Sequence, residues 1–429
     1  MQLGFRGLSL SAAVLLLIGL ATPAFSTSNM VEVGSCVPGL LQFQTIQSAV
    51  DQSPANTIIE VCPGSYPEQV SINKNMTLRG IANPNSNPVQ DAAIVVSPST
   101  GVVQNTTSLS SNQPIAAQIL VGNGASVTIS SMTVDGSNNK LSDCSINLVG
   151  IMYQNASGTV STSVMRNQAL APSLSGCQDG LGFFAQSGQG GTSNVTVQES
   201  SVHNYDKNGI TANETGTTLK AIDNLVQGAG VVAPPGSAQN GIQIGFGATG
   251  TVSGNTVLDQ VYGDPATAAS IGVLLYDAAE NSVTVTSNNI SNTQGGVGIY
   301  TDGANPAQDG DGATVQSNNI FETSAYDGID VCTNRNLIKG NTVANSAESA
   351  IHLDASCSAN GNNTGDNNTV SGNIMLESAC AGILEDSGTF NTIGSGNAFL
   401  DIPFTVVTGT CPGGSGVKLG KAVHGHPVR

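Results

Sequence analysis

Short apolar stretches, each opened by a small residue, return along most of the chain: Gly298-Ile299-Tyr300, Gly328-Ile329-Asp330, Ala350-Ile351-His352 and Gly382-Ile383-Leu384. Between them a second mark, Asn-x-hydrophobic, recurs at Asn318-Asn319-Ile320, Asn341-Thr342-Val343 and Asn373-Ile374-Met375, with further copies at Asn224, Asn255, Asn288 and Asn397. The first mark extends upstream to 150/151, 180/181, 209/210, 241/242 and 272/273, and the distance between its second residues ranges from 22 (329 to 351) to 32 (210 to 242). One such unit cannot bury its own apolar side chains, so the pattern predicts stacked coils with Ile on Ile and Val on Val, roughly eleven to thirteen coils in all. Asn residues at the turns of such a stack are expected to form amide ladders.

The N-terminal part supplies the start of the stack. Phe43, Ile46, Ala49 and Val50 fall at helical spacing and Pro54 closes the pattern, predicting a short capping helix over 43–52. Alternating strands follow at Thr57-Ile58-Ile59-Glu60-Val61, Val70-Ser71-Ile72 and Met76-Thr77-Leu78-Arg79-Gly80. The run FQTIQSAVDQSPANTIIEVCPGSYPEQVSINKNMTLRG resembles the opening of right-handed parallel β-helix proteins of the pectin-lyase-like superfamily, in which a helix caps the first coil and PG-x-Y-x-E leads into the second. The resemblance implies an all-β fold, a right-handed parallel β-helix with a short N-terminal capping α-helix. It is shared by pectin methylesterases, some pectate lyases and periplasmic copper-maturation proteins, so it points to a fold more than to a chemistry.

Residues 1–26 carry Arg6, an apolar run from Leu8 to Leu20 and Ala24-Phe25-Ser26, the pattern of an export signal. The β-helix domain is then expected over 27–411, with a surface excursion at 80–114, rich in Asn, Pro, Ser and Thr, and a C-terminal tail at 412–429 that includes His424 and His426. The mature chain is expected to be secreted, periplasmic or at the cell surface, with no membrane span. Composition narrows the function. The chain has 429 residues, 52 of them Gly, no Trp, 10% charged and a formal net charge of -17, which argues against nucleic acid and anionic membranes as partners. All eight Cys lie beyond the signal, and an even number in an exported chain argues for disulfides; pairing of neighbours is preferred, 36 with 62, 144 with 177, 332 with 357 and 380 with 411. A monomer is expected.

If each anchor Ile points inward, the residues one and three places later point outward. The rule selects Leu274 and Tyr276, Tyr300 and Asp302, Asp330 and Cys332, His352 and Asp354, Leu384 and Asp386. Equivalent groups on adjacent coils lie about 5 Å apart, a spacing that lets one carboxylate ionise while its neighbour keeps its proton. Asp302, Asp330, His352 and Asp354 are therefore the catalytic candidates, with Tyr276, Tyr300 and Asp386 as substrate contacts. Loop carboxylates Asp309, Asp311 and Asp327 could hold Ca²⁺ instead. Between Lys220 and Lys418 the only basic residues besides His352 are Arg335 and Lys339, the candidates for neutralising a uronate or acting as base in β-elimination. Asp327-Gly328-Ile329-Asp330 faintly resembles the acidic segment of polygalacturonases, without Gly-His-Gly or Arg-Ile-Lys after it. Tyr262-Gly263-Asp264-Pro265 is similar to the Tyr-Gly-x-Asp-Pro-His site of mannuronan epimerases, with Ala266 where His would stand. Gln-Asp-Thr and Asp-Phe-Ile-Phe-Gly, expected of pectin methylesterases, are absent.

These observations predict an exported β-helix protein that binds an extended polysaccharide along one face, with cleavage of it, as by a glycoside hydrolase or polyuronate lyase, as a further hypothesis. The alternative is a non-catalytic surface, adhesive or periplasmic accessory protein whose acidic line is a solvated face. A copper-maturation role fits less well, with four His available.

Overall fold

A computed structural model describes residues 29–82, 93–305, 308–355, 365–387 and 389–412. The chain winds through three long sheets in rotation, so that along each sheet a strand pairs in parallel with those of the neighbouring coils. Fourteen strands form the first sheet, which contains Thr57–Val61 and Thr314–Gln316, and twelve form the second, from Gly64–Pro67 to Ala398–Leu400. The third runs from Val70–Ile72 to Phe404–Thr408. The fold is the expected right-handed parallel β-helix, and the twelve strands of the second sheet fall within the predicted number of coils.

Many of the corners between sheets are made by single residues in the left-handed region. Asp223 (φ 53°), Ser287 (φ 58°) and Ser317 (φ 55°) turn the chain from the first sheet into the second. Asn204 (φ 54°) follows a strand of the second, and Asn292 (φ 48°) and Asn345 (φ 55°) bend the strands Asn289–Thr293 and Thr342–Ser346 of the second near their ends. Asn and Asp tolerate this conformation through local hydrogen bonds, which explains the Asn-rich composition without invoking disorder.

Inside, Ile299, Ile329, Val331, Ile351, Leu353 and Ile383 join one continuous apolar column with the Val and Ile of the other two sheets. The Asn marks form the expected ladder. Asn288 Oδ1 accepts from Asn255 N (3.0 Å) and Nδ2 (2.9 Å), while Asn318 Oδ1 does the same for Asn288. The chain of amides continues through Asn341 and Asn373 to Asn397. A shorter ladder links Asn336, Asn368 and Asn391. Asn318→Ala removes the acceptor of two buried donors on Asn288, and is expected to cost on the order of 3 kcal/mol, read as a lowered urea midpoint at constant slope. Asn319→Ala, at an exposed position next to it, should change stability by less than about 0.5 kcal/mol.

The small residue opening each coil has a packing cause. A Cβ on Gly328 would lie 2.2 Å from Val343 Cγ1 and 2.8 Å from the Ala350 carbonyl oxygen, and one on Gly296 would lie 2.3 Å from the Gly328 carbonyl oxygen. The chain enters the third sheet so close to the next coil that a side chain has no room. Strand pairing also corrects two anchors. Ile151 is level with Phe183, and Val297 with Ile329, so the coil openings are Gly182-Phe183, two residues after the one read from the sequence, and Gly296-Val297, two residues before it. Gly295-Gly296-Val297-Gly298-Ile299 offers both frames; the inward-outward facing survives because the strand period is two.

The capping helix spans Ile46–Gln52, begun by Thr45, whose side chain accepts from Ser48 N. It is shorter than the expected 43–52 because Phe43 ends the strand Leu41–Phe43 and is buried there. The stretch 80–114 is not one excursion. Ala93–Val96 is a strand of the second sheet, and Thr106–Thr107 pairs antiparallel with Pro114–Val121. Its apolar AIVV is masked in the sequence by the surrounding polar residues. Three expected disulfides are present, Cys36–Cys62, Cys144–Cys177 and Cys380–Cys411. Cys332 is disulfide-bonded as well, while Cys357 lies outside the described residues, as do the 1–26 signal and His424 and His426.

Candidate functional site

Parallel pairing aligns the outward residues of the third sheet in columns. One step after each coil's inward anchor stand Leu274, Gly298, Asp330, His352 and Leu384. Three steps after it stand Tyr276, Tyr300, Cys332, Asp354 and Asp386. The predicted facing is therefore correct, but the face is not open: Tyr300 is 2% and Asp330 4% exposed. Glycine at 298 makes the space, since a Cβ there would lie 2.6 Å from the Tyr300 ring, which folds over it. Ile271, Leu274, Tyr326 and Cys332 pack around that ring as an outer apolar cluster, and Tyr326 donates its hydroxyl to the Pro265 carbonyl, bringing the Tyr262–Pro265 segment alongside.

Next to this cluster the columns turn acidic. Tyr300 donates its hydroxyl to Asp330 Oδ2 at 2.9 Å, and the other oxygen, Oδ1, is buried with no hydrogen-bond partner. Asp327 enters from the turn ahead of the strand Ile329–Val331; its Oδ1 accepts from Ser349 N (2.8 Å) and its Oδ2 meets His352 Nδ1 at 3.1 Å. On the other side of the ring, His352 Nε2 faces Asp386 Oδ1 at 3.5 Å. Asp386 also accepts from Ala355 N at 3.2 Å and shares a hydrogen bond with Asp354. Glu348, half-buried on the turn into the His352 strand, feels the charges of Asp327, Asp354 and Asp386.

Five carboxyl groups thus surround one imidazole, and burial decides how they share protons. Burial, then the charge of Asp354, pushes Asp330 well above the usual carboxylate range. Burial and the charge of Asp327 push Glu348 up to about 8. Burial opposes the charge on His352, but the charge and hydrogen bond of Asp327 outweigh it and hold the imidazole protonated well past its ordinary range. Burial also disfavours ionised Asp386, yet the hydrogen bond and charge of His352 keep it below the usual carboxylate value. The result is a pair of acids, Asp330 and Glu348, that keep their protons at neutrality near a cationic ring and an ionised carboxylate, Asp386. Side-chain exposure of 13% at His352 and 26% at Asp386 puts the opening of the cluster at those residues and Glu348. Potential ligand atoms of Asp327, Asp330 and His352, and separately of His352, Asp354 and Asp386, lie within 4.8 Å of one another, close enough to hold a cation.

Of the predicted set, Asp330, His352, Asp354 and Asp386 converge, joined by Asp327 from the expected metal group. Asp302 does not join them. The shifted anchor puts it five residues past Val297, beyond the end of the strand Gly295–Tyr300, where its N–H donates to Asp277 Oδ1 (2.8 Å) and its own Oδ1 caps Ala304 N (2.7 Å). Tyr300 is an internal donor rather than a platform, and Tyr276 packs half-buried against Phe246, ring centres 5.6 Å apart. Arg335 and Lys339 lie elsewhere. Arg335 is tied to Glu280 and, at 2.9 Å, to Asp311, and Lys339 ends a strand of the first sheet. Asp309 belongs with Glu280 and Asp311, so the expected trio with Asp327 is split. Glu348 was missed because the outward rule counts only forward from the anchor; it is level with Tyr326, in the column three residues before. A separate cavity of about 460 Å³ opens between Leu109-Ser110, Ser187–Gly191 and Glu214–Gly216, several coils away.

No family model and no curated protein matches the sequence. Solved structures do match. The A-module of an Azotobacter vinelandii mannuronan C-5 epimerase aligns with a TM-score of 0.55 at 14% identity, over 86% of this chain and 95% of that one. The Dettilon tailspike protein aligns with a TM-score of 0.55 at 12% identity, over 83% of this chain, which spans only 64% of the tailspike. A GH136 lacto-N-biosidase from Eubacterium ramulus aligns with a TM-score of 0.52 at 10% identity, over 88% of this chain and 68% of that one. At these identities the likeness is one of fold, the right-handed parallel β-helix that the opening of the chain implies.

Proposed function

We propose that the chain binds an extended carbohydrate across the outer face of the third sheet and hydrolyses a glycosidic bond at the acidic cluster. The observation that carries this reading is the pair Glu348 and Asp386 at the opening, one proton-holding and one ionised, with His352 beside them. Glu348 donates its proton to the leaving glycosidic oxygen; Asp386 either takes a proton from the attacking water or attacks the sugar itself. His352, itself held protonated by Asp327, keeps Asp386 ionised, and burial with the charges of Asp327 and Asp354 keeps the proton affinity of Glu348 high. Polyuronate β-elimination fits less well, because Arg335 and Lys339 stand away from the cluster and the one cation there is already engaged by two carboxylates. That the glycosidase and epimerase named above act on carbohydrate supports the substrate class, and the disulfides support a place outside the cytoplasm.

The test is release of reducing ends over a panel of glycans, with ultraviolet absorbance to detect unsaturated uronates. Hydrolysis without unsaturated product is expected, falling about 10²- to 10⁴-fold in Glu348→Gln and in Asp386→Asn. No turnover of any glycan defeats the proposal, and turnover that survives both substitutions defeats the site. The burial of Asp330 and Tyr300 favours one second reading, a non-catalytic carbohydrate-binding solenoid in which the cluster is an internal polar network. Binding without turnover is its signature.

A further inference from the structure

The charge around the cluster is one-sided. Arg79 and Arg166 are paired with Glu60 and Asp135 on other sheets, and Arg335 with Glu280 and Asp311. Lys74 donates to the Asp51 and Ser53 carbonyls and Lys140 to that of Ser99; Lys207 is fully buried and donates to the Ala238 carbonyl at 2.8 Å; Lys220 and Lys339 belong to strands of the first sheet. Among the described residues, therefore, no Lys or Arg is available to five carboxyl groups whose only counter-ion is His352. Within the cluster Asp330 Oδ1 is buried without a hydrogen-bond partner, although Asp330 is 4% exposed and lies within 4.8 Å of potential ligand atoms on Asp327 and His352. A buried carboxyl oxygen of this kind keeps its proton for want of a donor, and a cation that supplies one lets the group ionise.

Resting on the reading of this face as a carbohydrate site, we propose that its substrate is a glycan bearing free amino groups, a polyhexosamine, rather than a neutral or uronic-acid polymer. A sugar ammonium brings three donors and one positive charge, matching carboxylates that face one another with too few donors. Glu348 and Asp386 at the opening meet it first, and the shared field extends to Asp330 behind them. An N-acetyl group offers one N–H and no charge. A uronate adds a further anion to a site that already holds an excess of them.

The experiment is calorimetric titration, in buffer containing EDTA, with three hexamers: glucosamine, N-acetylglucosamine and galacturonate. The glucosamine hexamer is expected to bind at least about tenfold more tightly than the N-acetyl hexamer and the galacturonate hexamer to bind least. The preference should shrink as NaCl is raised and in Asp386→Asn, whose folding is checked by thermal unfolding. Equal or tighter binding of the N-acetyl or galacturonate hexamer overturns the inference while leaving the carbohydrate reading intact. So does failure of all three hexamers when another glycan in the turnover panel is cleaved. If no glycan is bound or cleaved, both fall.

Discussion

Raising the pH from about 5 to about 7.5 is expected to lower the melting temperature by on the order of 10 °C, the reverse of the behaviour of a protein held by ordinary surface carboxylates. The cause is a set of buried acids that prefer their protons. Asp179 and Asp206 stand on adjacent coils, each two residues ahead of the paired Leu181 and Asn208. Burial, with the charge of Asp206, pushes Asp179 up to about 7, and burial pushes Asp206 up to about 6. Glu348, at about 8, and Asp330 behave alike. In the unfolded chain such groups ionise near pH 4, so between there and their folded values the native state holds more protons and stability falls as pH rises. His352 adds to the slope: its raised affinity stabilises fully below about pH 6.5 and is lost above it. Asp135 and Asp386, held low, act oppositely, losing their contribution only in strong acid. Lys207, which burial lowers to about 7, gains stability for the fold as pH rises above that value, so the comparison is best kept at or below about 7.5. Calorimetry suits the measurement, since the chain has no Trp. A melting temperature that is flat or rising across this window would mean that the buried acids ionise normally. Asp179→Asn should flatten the slope.

The architecture was readable because its cause is repetitive. Each coil spends a Gly where the next coil's carbonyl comes too close, then an inward Ile or Val, and both leave marks in sequence. Register was less readable where two frames satisfy the same marks, as at Gly295–Ile299, and that slip of two residues placed Asp302 in the site. Arg335 and Lys339 follow Asp330 closely in sequence, yet the corner between them sends Lys339 to a different sheet; nearness along a solenoid does not mean a shared face. Glu348 and Asp327, the partner of His352, lie on turns, where alternation says nothing. The burial of the outer face was also hidden, because it comes from a tyrosine ring lying over Gly298, a contact between positions that no periodic rule connects. The composition of the site was thus half legible, and its electrostatics, which depend on burial, were not.

His352→Gln and Glu348→Gln are expected to move stability in opposite directions. Removing the imidazole takes the only positive charge that the described residues place among Asp327, Asp354 and Asp386, leaving buried carboxylates to repel or to take up protons, a loss of about 3–5 kcal/mol at neutral pH. Replacing Glu348 by an amide removes an acid whose ionisation the site already resists, so the variant should be as stable as the parent or more so, while losing turnover. A stability gain at the cost of activity is what a strained functional site predicts and an internal structural network does not. Urea denaturation of the two variants and of His352→Gln combined with Asp327→Asn separates the cases. If His352 acts as counter-ion to Asp327, the double variant recovers part of the single loss, because the charge left unpaired has gone too. If His352→Gln is neutral, or if Glu348→Gln destabilises as much as it does, the acids are balanced by something other than the imidazole, and the assignment of Glu348 as proton donor loses its physical basis.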